Sequence, residues 1–220
     1  MPRVVPFYAV KCYPEPGLLR LLAALGTGFD CASKGEVETV LQLGVSPSRI
    51  IFAHPCKRPC DIRYAKEHHV QHTTFDTESE LCKIAAHHPG FRCVLRIRAD
   101  DPEARVPLGL KYGANPEEAP KLLATAAKLK LQVVGVSFHV GSACKNLATF
   151  TTAIEKAREV SSGHWGGGGA VGGWIRVNGQ GTGLQGRQGR AHCGSERTSL
   201  YGHVPVDAVT CTKQNIGRAA

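Results

Sequence analysis

Two rhythms take turns along the first 160 residues. Short runs of β-branched, aromatic and other apolar residues at positions 4–10, 29–32, 49–53, 73–75, 93–97 and 131–139 predict six strands. After each run, apolar residues recur every three or four positions, the spacing of a helix with one buried face. Pro14 and Pro16 open the first helix, which carries Leu18, Leu19, Leu21, Leu22 and Leu25 on one side and ends at Gly26 and Gly28. Ser33, with Glu36 three positions on, makes a reciprocal cap for a second helix that runs to Leu43. Further helices are predicted over 61–68, 77–87, 116–129 and 146–160, the last with Phe150, Ile154 and Ala157 on one face.

Six strand-then-helix units argue for an α/β fold of parallel strands, because a parallel connection needs a crossover and a helix supplies it. A (β/α)8 barrel of the TIM type and an open doubly wound sheet both satisfy this. No G-x-G-x-x-G follows the first strand, which weighs against a dinucleotide-binding sheet. Several strands end on polar residues: Lys11, Asp30, Arg96 and His139. In a barrel the carboxyl ends of the strands meet on one face, the face where chemistry is done. The pattern alone therefore proposes one site holding an amine, a carboxylate, a guanidinium and an imidazole. Lys11 closes the apolar run Pro6-Phe7-Tyr8-Ala9-Val10. A lysine held among apolar walls loses its proton more readily, and a neutral amine attacks an aldehyde to form a Schiff base.

After residue 160 the rhythm stops. Residues 161–220 hold 15 of the 25 glycines and six Lys/Arg, but only two acids, Glu196 and Asp207. Such composition buries little apolar surface, so a disordered, basic, Gly-rich tail is expected beyond a barrel domain of residues 1–160. The glycines at 166–169 lack the preceding strand and following amphipathic helix of a phosphate-cradling loop. The formal charge of +9 is shared between this tail and a domain whose basic and acidic residues alternate, which reads as a solvated surface and not a nucleic-acid footprint. No run of about 18 apolar residues occurs, so no transmembrane helix is expected. Nine scattered cysteines without a secretion signal point to reduced thiols in the cytoplasm. Cys56 and Cys60 have no second pair at zinc-ligand spacing, so no metal is expected.

The segment Pro6-Phe7-Tyr8-Ala9-Val10-Lys11-Cys12 resembles the cofactor-attachment strand of eukaryotic ornithine decarboxylases. Gly28-Phe29-Asp30-Cys31-Ala32-Ser33-Lys34 resembles the next strand and helix start of the same family. Further matches follow in order: Pro55-Cys56-Lys57, Thr74-Phe75-Asp76, Val94-Leu95-Arg96-Ile97, and Gly135-Val136-Ser137-Phe138-His139-Val140-Gly141-Ser142. The resemblance covers residues 4–160. It implies a pyridoxal-phosphate decarboxylase with an alanine racemase-like (β/α)8 barrel and a β-rich second domain. By resemblance, Lys11 attaches pyridoxal phosphate and His139 stacks on its ring as the second catalytic residue. Ser142 binds the phosphate, Asp30 and Arg96 orient Lys11 and the cofactor's polar edge, and Ala9 lines the pocket. The implied reaction is L-ornithine to putrescine in polyamine biosynthesis. The family also implies a cytoplasmic homodimer, with antizyme as a protein partner contacting residues 59–82. The alternative within the same resemblance is a non-catalytic binding protein like the antizyme inhibitors.

The sequence departs from this pattern in three places. His54 stands where the family has Asn. The family's segment ahead of the lysine strand finds no match. Neither do a seventh strand with its Gly-Gly-Gly phosphate loop, a Glu-x-Gly-Arg segment and a late Cys-Asp segment. The expectation is therefore an incomplete chain with about six of eight βα units and a barrel left open between two exposed parallel edges. Residues 161–220 would then be translated from another frame or from an intron.

Overall fold

The computed structural model describes residues 5–99, 111–141, 146, 148–162, 174–178 and 200–205, the last two segments as backbone. Six βα units run in chain order. They are β1 (Val5–Ala9) with α1 (Pro16–Ala24), β2 (Gly28–Cys31) with α2 (Lys34–Gln42), and β3 (Ile50–Phe52) with α3 (Pro59–Glu67). Then come β4 (His72–Phe75) with α4 (Glu78–His87), β5 (Arg92–Arg96) with α5 (Ala119–Lys128), and β6 (Gln132–His139) with α6 (Ala148–Ser162). Each strand pairs in parallel with the next, from Phe7 opposite Gly28 to Arg96 opposite Ser137. Of the two α/β architectures that the alternation allows, this is the barrel, the one the resemblance implies.

Strand periodicity sorts the side chains into two layers. Outward positions such as Tyr8, Phe29, Phe52, Phe75, Leu95 and Phe138 meet Leu19, Val37, Ile62, Leu81 and Leu122 of the helices in one continuous core. Inward positions Ile51, Val94 and Val134, with Phe7 against them, plug the barrel. Gly28, expected to end a helix, opens β2 instead. A Cβ there would lie 2.6 Å from the Phe7 ring, so only glycine lets that ring fill the barrel interior.

Several boundaries shift for local reasons. β1 ends at Ala9, and Val10–Cys12 forms one turn of 3-10 helix that carries Lys11. α3 starts at Pro59, two residues before the expected Asp61, because proline suits the first helical position. Arg49 leaves its strand to donate at 2.7 Å to both the Ala23 and Thr27 carbonyls, which satisfies the end of α1.

The expected open edges are not found. β7 (Trp174–Asn178) pairs in parallel with β6, and β8 (Leu200–Pro205) runs antiparallel between β7 and β1. The sheet is thereby a closed barrel. An unpaired parallel edge exposes a row of N–H and C=O groups, and these two segments cover both rows. The rest of residues 161–220, on which the expected disorder falls, lies outside the described residues, Ser161 and Ser162 at the end of α6 aside. No helix among the described residues is long and apolar enough to cross a membrane.

One buried ion pair ties β3, β4 and α4 together. Lys57 and Glu80 have side chains that are 0% and 1% exposed and meet at 2.7 Å. The Lys57 ammonium also donates to the His54 and Thr74 carbonyls, at 3.0 and 2.8 Å. All three of its protons are thus used. The Lys57 amide donates in turn to the Glu80 carboxylate. Burial pushes the Lys57 pKa below the usual lysine range, and Glu80 opposes that push. At the other end of the barrel, a cavity of about 210 Å³ is lined by Phe7, Ile51, His72, Arg92, Val94 and Val134 among others. Burial first, and the Arg92 guanidinium second, hold the His72 pKa down to about 4.

Two outcomes are expected. Glu80→Ala leaves the Lys57 charge buried without a counter-charge and should cost about 3–5 kcal/mol in urea unfolding. Acid should also act through His72. The unfolded chain takes up that proton near the ordinary histidine value, whereas the folded chain resists until about pH 4. Stability contributed at this position is therefore present above the ordinary value and is lost as pH falls toward 4. His72→Gln should flatten the pH dependence of the urea midpoint across that window, and an unchanged profile would assign the acid sensitivity elsewhere.

Candidate active site

The barrel delivers Ala9, Asp30, Arg96 and His139 to one mouth. Ala9 and Asp30 stand opposite each other at the carboxyl ends of β1 and β2. Both alternate with outward core residues, so they face the interior, where Ala9 is fully buried and Asp30 nearly so. Arg96 ends β5 opposite Ser137, and His139 ends β6 two positions later on the same inward face. Ser142 lies outside the described residues.

Lys11 follows β1 on the 3-10 turn and is exposed. The sequence expectation of a lysine walled by apolar side chains is corrected here: the turn lifts the ammonium out to the rim. Its partners are electrostatic. Its charge and that of Asp30 both act on Glu36 at the start of α2. The Glu36 carboxylate accepts the Ala32 amide at 2.6 Å, and its own amide donates to Ser33 Oγ at 3.2 Å. Burial raises the Glu36 pKa, the Ala32 hydrogen bond opposes this, and neighbouring Asp30 adds to the rise while Lys11 offsets it. In the sequence Glu36 reads as a helix cap only. Its distance of six residues from Asp30, across a strand-to-helix turn, is the signal that places a second carboxyl beside the first.

His139 is held by backbone. The Gly141 amide donates to His139 Nδ1 at 2.9 Å, so Nδ1 accepts and the ring proton sits on Nε2. Gly141 has a φ of 105°, a conformation natural to glycine, which lets the chain fold its amide back onto the ring.

Arg96 has an aromatic neighbour that no sequence pattern announces. Its guanidinium lies 5.1 Å from the centre of the Tyr112 ring, and His54 meets the same tyrosine edge-to-face at 5.7 Å. Burial pushes the pKa of His54, in the loop after β3, below the ordinary histidine value; the Lys57 and Arg96 charges add to this, and the Glu80 and Asp76 carboxylates oppose it. Tyr112 also lines a cavity of about 380 Å³, together with Asp76, Thr77, Glu78, Lys111 and Lys121 among others.

The donor set suits pyridoxal phosphate. A primary amine at the rim answers the cofactor's aldehyde, and a neutral imidazole offers an uncharged aromatic face. A buried carboxylate, Asp30, and a half-buried guanidinium, Arg96, would face polar ring substituents, and Ala9 would leave room beside them. No other group at this mouth calls for a metal: among the described residues, no three His, Cys, Asp or Glu side chains cluster at metal-ligand spacing.

Comparison with known proteins identifies the family. The family described as pyridoxal-dependent decarboxylase, pyridoxal binding domain, matches residues 1–173. An ornithine decarboxylase of Schizosaccharomyces pombe is 52% identical over 160 residues, which is 73% of this chain and 37% of that protein. Antizyme inhibitor 2 of Xenopus laevis is 50% identical over 160 residues, 73% of this chain and 35% of that protein. Among solved structures, the Paramecium bursaria Chlorella virus arginine decarboxylase superposes with a TM-score of 0.72 at 48% identity, covering 73% of this chain and 43% of that one. Ornithine decarboxylase from Entamoeba histolytica superposes with a TM-score of 0.66 at 37% identity, covering 74% and 44%. The chain thus spans a little over a third of the curated relatives it matches. With six βα units in register and a family match over residues 1–173, the chain belongs to the pyridoxal-dependent decarboxylases, through their pyridoxal-binding domain.

Proposed function

We propose that this chain is the cofactor-binding barrel of a decarboxylase acting on a basic amino acid, with L-ornithine the substrate and putrescine the product. The observation that carries this is the joint placement of Lys11, Asp30, Arg96 and His139 around one mouth in a chain 52% identical to an ornithine decarboxylase. When bound, pyridoxal phosphate supplies the ring that accepts the electron pair released with carbon dioxide. The protein's share is placement and proton control. Lys11 presents its amine at the rim, where the cofactor's aldehyde would be attached. His139, with its proton fixed on Nε2, presents a neutral ring for stacking. Asp30 and Arg96 supply opposite charges at the buried side, Ala9 bounds the pocket, and Ser142 is assigned to the phosphate. A cytoplasmic homodimer goes with the same reading.

The 50% identity to an antizyme inhibitor favours a second reading, in which the barrel binds antizyme and does no chemistry. One set of measurements separates the two. Release of labelled carbon dioxide from ornithine, lysine and arginine is measured beside capture of antizyme. Turnover of ornithine ahead of the others supports the first reading, and antizyme capture without any turnover supports the second.

Pyridoxal phosphate added to the chain is expected to develop the visible absorbance of protein-bound cofactor. Lys11→Ala should abolish that band, and a band that persists would move the attachment to another lysine. His139→Ala should weaken cofactor affinity about three- to tenfold, the size of one aromatic stacking contact.

A further inference from the structure

We propose that Tyr112, braced by His54, is a positioning residue that holds the Arg96 guanidinium at the barrel mouth. This rests on the reading that Arg96 serves the cofactor site, and it gives a role to His54.

The ring cannot be moved aside at little cost. The Ala114 amide donates to the Arg96 carbonyl at 2.9 Å, and the Arg98 amide donates to the Ala114 carbonyl at 2.8 Å. Residue 114 is thereby bridged in parallel to Ile97. The Gly113 amide donates to Asp76 Oδ2 at 2.8 Å, which anchors the same segment to the end of β4. At Gly113, with a φ of 99°, a Cβ would meet the Ile97 carbonyl and the Arg98 nitrogen at 2.9 Å. The backbone on either side of Tyr112 and the strand end that carries Arg96 are thus one stitched unit. The guanidinium then lies 5.1 Å from the ring centre, within the range where a cation is attracted to an aromatic face. A planar guanidinium on a long flexible stem gains direction from such a contact.

His54 closes the bracket from the other side, at 5.7 Å and an interplanar angle of 81°. It is itself fixed twice. Its carbonyl accepts the Lys57 ammonium at 3.0 Å, and its Nδ1 accepts the Cys56 amide at 3.1 Å. With Nδ1 accepting, the proton is on Nε2 and the ring is neutral, so it braces Tyr112 without repelling Arg96. Anchor, imidazole, phenol and guanidinium form a row that runs from the buried Glu80 carboxylate to the mouth.

The test uses the full 220-residue chain and has two readouts. The first needs no cofactor: the Arg96 side-chain Nε–H resonance, assigned by Arg96→Lys. A ring-current shift is expected in the unmodified chain, retained in Tyr112→Phe, diminished in His54→Ala and lost in Tyr112→Leu. An Arg96 resonance that is the same with and without the ring overturns the proposal. The second is a double-mutant cycle on pyridoxal phosphate affinity. Tyr112→Leu should weaken binding about three- to tenfold when Arg96 is present, the scale of a part-buried cation–π contact, and should have no further effect beside Arg96→Ala. Equal losses in both backgrounds would mean that Tyr112 acts on the fold or on the cofactor directly, which also overturns it. If the resonance behaves as expected and the chain takes up no pyridoxal phosphate, the cofactor-site reading fails and the brace stands.

Discussion

A parallel sheet has to hide both of its faces and both of its edges, and this constraint organises the molecule. The helices hide the outer face, with Phe29, Phe52, Phe75 and Phe138 among the largest fully buried side chains. Phe7, Ile51, Val94 and Val134 hide the inner one. Closure through β7 and β8 hides the edges. Because β1 to β7 run parallel, the same constraint brings their carboxyl ends to one rim. The site is a by-product of the topology: a polar residue at the last inward position of a strand arrives at the mouth.

How much was legible in the sequence follows from what is local. The strand and helix periods are local, and all six units stand where the periods put them. Asp30, Arg96 and His139 were legible because strand ends were legible. Lys11 was placed in chain order but not in environment, since a 3-10 turn at Val10–Cys12 decides its exposure and leaves no apolar period to read. Glu36 was hidden by its second duty as a cap. Tyr112 was not legible at all. It reaches Arg96 through a bridge between Ile97 and Ala114, seventeen positions apart in the chain, and no spacing rule announces such a return. The strand Trp174-Ile175-Arg176-Val177-Asn178 was masked by the glycine-rich composition around it.

The rim handles charge by two different means. On the β1–β2 side, Lys11, Asp30 and Glu36 influence one another within reach of solvent, and burial keeps Glu36 readier to hold a proton than an ordinary carboxyl. On the β3–β5 side, the cation Lys57 is locked below the rim by Glu80, and burial holds down the pKa of His54 above it.

The bond from the Gly141 amide to His139 Nδ1 has a consequence for the chain itself. An amide N–H and a protonated Nδ1 are both donors, so they cannot share that contact. Doubly protonating the imidazole would expel the Gly141 amide and release the turn that leads out of β6. The backbone at this strand end therefore works as a latch on the ring's neutral form: the turn can close only on a histidine that carries a single proton.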